Sequence, residues 1–230
     1  MGNLFTSTIG RKLIMSISGL FLILFLLFHM SMNIAAVSST EAYNAICEFL
    51  GANWYALAGT LILAAGFVVH IIYASILTLH NRSSRGTQRY AVEATPKSVT
   101  WASRNMFVLG LVVVLGLLLH LYNFWYNMQF AEIIGDHSLG AFGPTDGAAY
   151  IADLFSNPVY CLIYLIWFLA IWFHLTHGFW SAFQTIGWDN QIWMKRLKCL
   201  ANVFATVVFL GFALVVVVFY LRSLCGGFCY

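Results

Sequence analysis

Long apolar runs recur along this chain and are separated by short polar segments. A helix that crosses a bilayer needs about 20 mainly apolar residues, and a chain in lipid must satisfy its backbone hydrogen bonds within its own helices. The pattern therefore predicts an all-α integral membrane protein, a five-helix transmembrane bundle in a single domain over residues 1–230. The predicted helices cover approximately residues 13–37, 54–79, 103–127, 158–183 and 200–222.

The polar segments between these runs are predicted to be loops. Residues 39–53 and 128–157 fall on one side of the membrane, and residues 80–102 and 187–199 fall on the other. The first run contains a histidine and is too long for the apolar part of a cleaved signal peptide, so we expect a permanent span.

Composition agrees with this class. Hydrophobic residues make up 61% of the chain, charged residues make up 8%, and the mean hydropathy is +0.84. These values lie far outside the usual range of soluble proteins. The net charge of +3 gives no reason to invoke nucleic acid, because the positions of the cations are those that membrane topology produces.

The cations also predict the orientation. All Lys and Arg residues except Arg222 fall on the side of the N-terminus, and such an excess marks the cytoplasmic side. We therefore expect a cytoplasmic N-terminus and a C-terminus outside. The cations on the N-terminal side are Arg11, Lys12, Arg82, Arg85, Arg89, Lys97, Arg104, Lys195, Arg196 and Lys198.

One histidine lies deep in each of the first four predicted spans. A polar side chain inside a membrane span usually has a function. Four spans with one imidazole each suggest paired axial ligands of a metal cofactor. These residues are His29, His70, His120 and His174.

Two of the histidines lie in spans that run outward. His29 and His120 come 17 and 16 residues after Lys12 and Arg104. At about 1.5 Å per residue they lie roughly 25 Å above the inner charges, near the outer leaflet.

The other two histidines lie in spans that run inward. His70 and His174 come 17 and 16 residues after Asn53 and Pro158, which places them at a lower level, offset by about 6 to 13 Å. The four imidazoles therefore form an outer layer and an inner layer, and this arrangement favours bis-histidine ligation of two haems. Helix–helix hydrogen bonding is the alternative for each histidine alone.

Small residues adjoin several of these histidines. Gly66 precedes His70 by four residues, Gly116 precedes His120 by four, and Ala170 and Gly178 flank His174 at the same offset. Residues four apart share a helix face, so a flat macrocycle could lie against these turns. Close helix crossings without a cofactor would use the same residue types.

The remaining histidines are weaker candidates. His177 lies three residues after His174 and could replace it as a ligand or meet a porphyrin propionate. His80 is expected at the membrane interface, and His137 in an outer loop. No Cys-x-x-Cys-His motif occurs, so any haem is expected to be bound non-covalently, as haem b.

Two segments resemble a known family. The run Ser16–Asn33 (SISGLFLILFLLFHMSMN) is similar to the first helix of the dihaem cytochrome b anchor of succinate:quinone oxidoreductases, the succinate dehydrogenase and quinol:fumarate reductase family. The pattern His174-x-x-x-Gly178-Phe-Trp180 is similar to the fourth span of that family. The similarity covers nearly the whole chain, including its length, five spans and four histidines.

The resemblance implies a ligand set and partners. His70 and His174 would bind the inner, proximal haem b, and His29 and His120 the outer, distal one, which is the pairing that depth also gives. A flavoprotein subunit and an iron–sulfur subunit would dock on the cytoplasmic face of a bacterial inner membrane, and the whole complex is a candidate dimer. Some dihaem members carry a glutamate two residues before the fourth histidine, where this chain has Trp172.

The substrate implied by the resemblance is a membrane quinone, with menaquinone the expected type. Quinone chemistry needs an apolar slot and a proton donor or acceptor near the quinone oxygens. Candidates near the outer haem are Glu48, Glu41, Tyr43 and Asn33, each of which also reads as an ordinary loop or helix-end residue.

Two other functions stay open. The chain could be the cytochrome b subunit of another oxidoreductase, such as a hydrogenase or a formate dehydrogenase. It could also be a transporter or channel with a histidine relay, in which Met30 and Met32 beside His29 serve as soft ligands. Against this second alternative, the spans carry no acidic residue and no mid-depth break.

Overall fold

A computed structural model describes residues 7–85 and 100–226, and these residues contain helices and no strand. Five of the helices are long and apolar enough to cross a membrane, which confirms the predicted all-α, five-span architecture. These spans are Thr8–Ser38, Trp54–Asn81, Met106–Ile134, Pro158–Thr185 and Gln191–Leu224.

The described segments contain the following helices in chain order. They are α1 (Thr8–Ser38), α2 (Thr40–Phe49), α3 (Trp54–Arg85), α4 (Trp101–Arg104), α5 (Met106–His120), a π-helical stretch (Leu121–Phe130), α6 (Ala131–Ile134), α7 (Gly147–Ser156), α8 (Pro158–Thr185) and α9 (Gln191–Leu224).

Capping residues explain where several spans begin. The Ser7 hydroxyl accepts a hydrogen bond from the Gly10 amide and so starts α1. Asn157 caps α8 and is followed by Pro158, a residue that suits the first helical position because that amide has no intrahelical partner. Asn190 accepts from the Trp193 amide and starts α9.

All four predicted loops are wrong in part. Residues 80–102 contain the end of α3 and the start of α4, and residues 86–99 lie outside the described residues. Residues 39–53 contain α2, residues 128–157 contain the end of the third span and α7, and residues 187–199 contain the first turns of α9. The helices α2 and α7 are shorter than a membrane span, whereas the other pieces are extensions of the spans themselves. The cations at the start of α9 leave its helical geometry intact because they lie at the membrane boundary and can reach water.

The π-helical stretch directly follows His120. It covers Leu121–Phe130 and continues the third span without a break into α6. Long π-helical stretches are rare, and short ones are common near functional sites.

The bundle is organised around α8, α9 and α1. The most extensive contact joins α8 and α9, and α1 packs on both. Ala201 and Ala205 on α9 are fully buried, and small residues at such spacing let membrane helices approach closely. At the far end of the bundle, Arg222 donates a hydrogen bond of 2.9 Å to the Val37 carbonyl and so ties the end of α9 to the end of α1.

The helix α3 lies at the side of the bundle. It packs mainly against α1, and the apolar window of its span contains no buried residue. The chain therefore holds α3 by one face and leaves the rest of its surface open to lipid.

We predict that Gly211→Val destabilises the contact between α1 and α9. A Cβ atom at Gly211 would overlap the buried Met30 side chain, and overpacking of this kind costs about 1–3 kcal/mol. Leu210→Val is the matched control because Leu210 is 58% exposed. Thermal unfolding in detergent should show a lower midpoint for Gly211→Val alone, and equal midpoints for both variants would contradict the packing described.

Candidate functional site

The outer histidine pair joins α1 to the end of α5. The ring centroids of His29 and His120 lie 5.7 Å apart, with an angle of 83° between the ring planes. Aromatic side chains surround the two imidazoles and exclude polar groups from most of their surface. The rings within contact of one or both are those of Phe25, Phe124, Tyr164, Trp167 and Phe212.

The inner histidine pair joins α3 to α8. The ring centroids of His70 and His174 lie 6.4 Å apart, with an angle of 67° between the planes. A Cβ atom at Gly19 would lie 3.3 Å from His70, and one at Gly110 would lie 3.6 Å from His174. These two glycines therefore give the imidazoles room against α1 and α5.

A hydrogen bond determines which ring nitrogen of His70 carries the proton. The Ser18 hydroxyl donates to the Met15 carbonyl at 3.1 Å and lies 3.2 Å from His70 Nδ1. Because a hydroxyl has one proton to donate, His70 Nδ1–H is the donor to Ser18. This assigns the free lone pair to Nε2, as in metal-binding histidines whose other nitrogen donates to a neighbour.

The two pairs lie at clearly different depths. His174 packs beside Gly110 on α5, and His120 of the outer pair lies ten residues further along the same span. At 1.5 Å per residue the levels are about 15 Å apart along the helix. This exceeds the 6 to 13 Å expected from the sequence.

The glycine faces expected to be bare are filled by side chains. Gly66 packs against the Phe21 ring, Gly116 against the Trp167 indole and Gly178 against Met106. Trp167 also donates a hydrogen bond of 3.0 Å to the Val113 carbonyl on α5, which holds the indole on the Gly116 face. At these three glycines the structure therefore shows the close packing that was named as the alternative to a bound macrocycle. Ala170 is buried against Ala102 and Leu109.

The other three histidines belong to neither pair. His177 packs edge-on against Trp180 at 4.8 Å. Its Nδ1 atom and that of His174 are buried and have no hydrogen-bond partner. His80 lies exposed near the end of α3, and His137 is exposed after α6.

A chain of polar contacts leads from the outer pair to α2. The Asn33 amide donates to the His29 carbonyl at 2.8 Å and lies 3.5 Å from His29 Nε2. The Tyr43 hydroxyl donates to Asn33 Oδ1 at 3.2 Å. Burial raises the pKa of Tyr43, so this hydroxyl keeps its proton. Two of the four quinone-site candidates therefore contact each other beside His29.

The two carboxylate candidates lie elsewhere on α2. Glu41 is exposed and accepts a hydrogen bond of 2.7 Å from the Ser39 hydroxyl, which lowers its pKa. Glu48 is also exposed. The structure does not bring either carboxylate to the polar chain that starts at His29.

An apolar recess lies between α1 and α2, on the side of Phe28 and Met32. Its volume is about 400 Å³, and its lining is almost wholly apolar. The α2 residues that line it are Ala45, Ile46, Phe49 and Leu50.

The helix α2 is fixed by its contact with α7. The Asn44 side chain donates to Asp146 at 2.8 Å and accepts from the Ala148 amide at 3.0 Å. Cys47 and Tyr43 on the same side pack against Gly147. This pair of short helices covers the end of the bundle next to the outer histidines.

Sequence reasoning did not connect two polar residues with the histidine pairs that they adjoin. Asn123 donates to the Tyr164 hydroxyl at 3.1 Å, beside His120, and Ser18 contacts His70. Asn123 could have been found as a polar residue in a span, three positions after His120. No signal within one helix links Ser18 to His70, since the contact joins α1 to α3.

Each pair offers two imidazoles. Across the two described segments, no group of three or more His, Cys, Asp or Glu side chains could hold a metal ion. A cofactor held by one pair alone would therefore have to supply its remaining ligands itself, as haem does.

Comparisons with protein-family models, curated proteins and solved structures find no match to this chain. A functional assignment therefore rests on the residues and their arrangement.

We predict that the Cys47 thiol reacts slowly with N-ethylmaleimide at neutral pH. Burial raises its pKa to about 11, so the thiol stays protonated and its rate should rise about tenfold per pH unit toward that value. Peptide mapping by mass spectrometry on the intact protein separates Cys47 from the exposed Cys199. Equal labelling of the two at pH 7.5 would mean that α2 does not pack on α7 as described.

Proposed function

We propose that this chain is the dihaem cytochrome b anchor subunit of a succinate:quinone oxidoreductase, a succinate dehydrogenase or quinol:fumarate reductase. The observation that carries the proposal is the pairing of four membrane-embedded histidines from four different spans, at two depths about 15 Å apart. Histidines that served only as helix–helix hydrogen-bonding residues would not need to meet in pairs at two depths.

The residues of this chain would hold haem b through the two pairs. His29 and His120 would ligate the outer haem, and His70 and His174 the inner haem. The tautomer that Ser18 imposes on His70 leaves Nε2 free to bind iron. When bound, each haem supplies a one-electron carrier in a low-dielectric setting.

The aromatic side chains around the pairs would exclude water and shape the space for a macrocycle. Trp167 occupies the Gly116 face beside His120, so a porphyrin on that face requires the indole to rotate away. The Gly19 and Gly110 positions place no side chain between their backbones and the inner imidazoles.

The quinone would bind at the outer end of the bundle, in the apolar recess between α1 and α2. The recess offers the apolar lining that a quinone ring needs, and it lies on the α1 turn that also carries His29 and Asn33. Tyr43, kept protonated by burial, would hold a proton next to Asn33. Menaquinone is the expected type by resemblance to the dihaem family.

The soluble partners would bind at the opposite end. The cations of the N-terminal side mark it as cytoplasmic, in a bacterial inner membrane, and the described residues at that end are helix ends and short connections. A flavoprotein and an iron–sulfur protein would supply the dicarboxylate chemistry, and electrons would pass between them and quinone through this subunit.

We predict two b-type haems per chain and a fixed pairing of their ligands. His29→Ala and His120→Ala should each remove one redox component, and His70→Ala and His174→Ala the other, because each haem loses an axial ligand. The measurements are a pyridine haemochrome assay and a redox titration of reduced-minus-oxidised spectra. His137→Ala, in an exposed position after α6, is the control and should keep both components.

Three results would contradict this assignment. A wild-type spectrum without a haem b α-band would exclude haem b as the cofactor. One haem per chain would exclude ligation by both histidine pairs. Loss of the same component in His29→Ala and His70→Ala would show that the pairs are wrong.

We also predict that the chain copurifies with a flavoprotein and an iron–sulfur protein, and that the complex couples succinate or fumarate to quinone or quinol analogues. His174→Ala should abolish this electron transfer, whereas His177→Ala should retain the inner haem. Copurification with hydrogenase or formate dehydrogenase subunits would instead identify another oxidoreductase. Retention of the inner haem in His174→Ala, with loss in His177→Ala, would make His177 the ligand.

A further inference from the structure

A separate cavity lies at the end of the bundle where α1 begins. It has a volume of about 280 Å³ and lies between α4, α8 and α9. Neither histidine pair contributes to its lining. Its main side chains are Trp101, Trp172, Trp180, His177, Lys198 and Asn202.

No carboxylate among the described residues balances the charge in this cavity. The Lys198 ammonium lies 4.6 Å from the centre of the Trp180 ring, and the cavity lining drawn from residues 7–85 and 100–226 contains no Asp or Glu. The His177 side chain lines the same space. Asn202 lies one turn after Lys198 on α9, with its side chain exposed. A cation, an imidazole and an amide around one space suit an anion with several acceptor oxygens.

The depth of the cavity indicates where the anion comes from. Lys198 lies between the cationic first turns of α9 and its apolar part, and three tryptophans line the same space. Tryptophan and lysine at this level are typical of the membrane interface. Basic pockets between membrane helices at this level bind anionic lipid head groups.

We infer that this cavity binds the phosphate-bearing head group of an anionic phospholipid from the leaflet on the N-terminal side. A neutral quinone would leave the Lys198 charge uncompensated. A zwitterionic head group would bring a second cation to a space that already holds one over Trp180. The inference rests on the chain spanning a membrane and not on the haem proposal.

The test is a titration of the purified protein, with any subunits that copurify, in a non-ionic detergent. Dihexanoylphosphatidylglycerol is the probe, dihexanoylphosphatidylcholine is the zwitterionic comparison, and the readouts are the thermal midpoint and lipid retention in native mass spectrometry. Lys198→Gln is the variant. Lys195→Gln is the control, because Lys195 is an exposed cation on the same helix that does not line the cavity.

Phosphatidylglycerol should bind wild type and Lys195→Gln saturably, and Lys198→Gln about fivefold more weakly, the factor that one cation near a membrane surface supplies. Asn202→Ala should also weaken binding of phosphatidylglycerol. It is the test variant if Lys198→Gln does not assemble.

Equal binding of phosphatidylglycerol by Lys198→Gln and wild type would overturn the inference, and so would equal binding of the two lipids. If Lys198→Gln changed the spectrum or midpoint potential of an inner haem and left lipid binding unaltered, the anion would be a haem propionate. A protein with no haem that still bound phosphatidylglycerol through Lys198 would refute the proposed function alone.

Discussion

The absence of water from the bilayer core is the constraint on which this structure depends. Backbone groups in lipid must be satisfied within the chain, so each span is continuously helical and the third span stays helical through a π-helical stretch. The same constraint acts on side chains. Trp172 donates to Thr206 and Trp167 donates to the Val113 carbonyl, so both indole protons have partners in neighbouring helices. The imidazoles of each pair contact one another, because the side chains around them are mostly aromatic and offer few polar groups.

The helices and the deep histidines could be predicted because both depend on hydropathy along one chain. The depth calculation put His29 with His120 and His70 with His174, and the structure brings the members of each pair together. The neighbours of each pair could not be predicted, because they come from other helices. Gly19 and Gly110, which lie beside the inner imidazoles, have no special position in their own sequence segments.

Local polar chemistry accounts for the other differences. A hydropathy pattern does not recognise α2 or α7, since their helices depend on caps from Ser39 and Asp146 and on mutual packing. Both helices lie at the membrane surface, where water can satisfy their ends. Glu41 and Glu48 show where prediction of the site from sequence ends. They were chosen because they follow His29 in the chain, and that choice did not predict which face of α2 would carry them.

We expect the lateral position of α3 to set an order of assembly. Because α8 and α9 are consecutive and share the largest interface, we expect this hairpin to form first in the membrane, with α1 docking on it and α5 on α8. These helices complete the outer pair. The inner pair closes only when α3 settles against α1 and carries His70 to His174. A newly inserted chain would thus acquire its two histidine pairs one after the other, and the contact between the inner imidazoles would form only with the last helix.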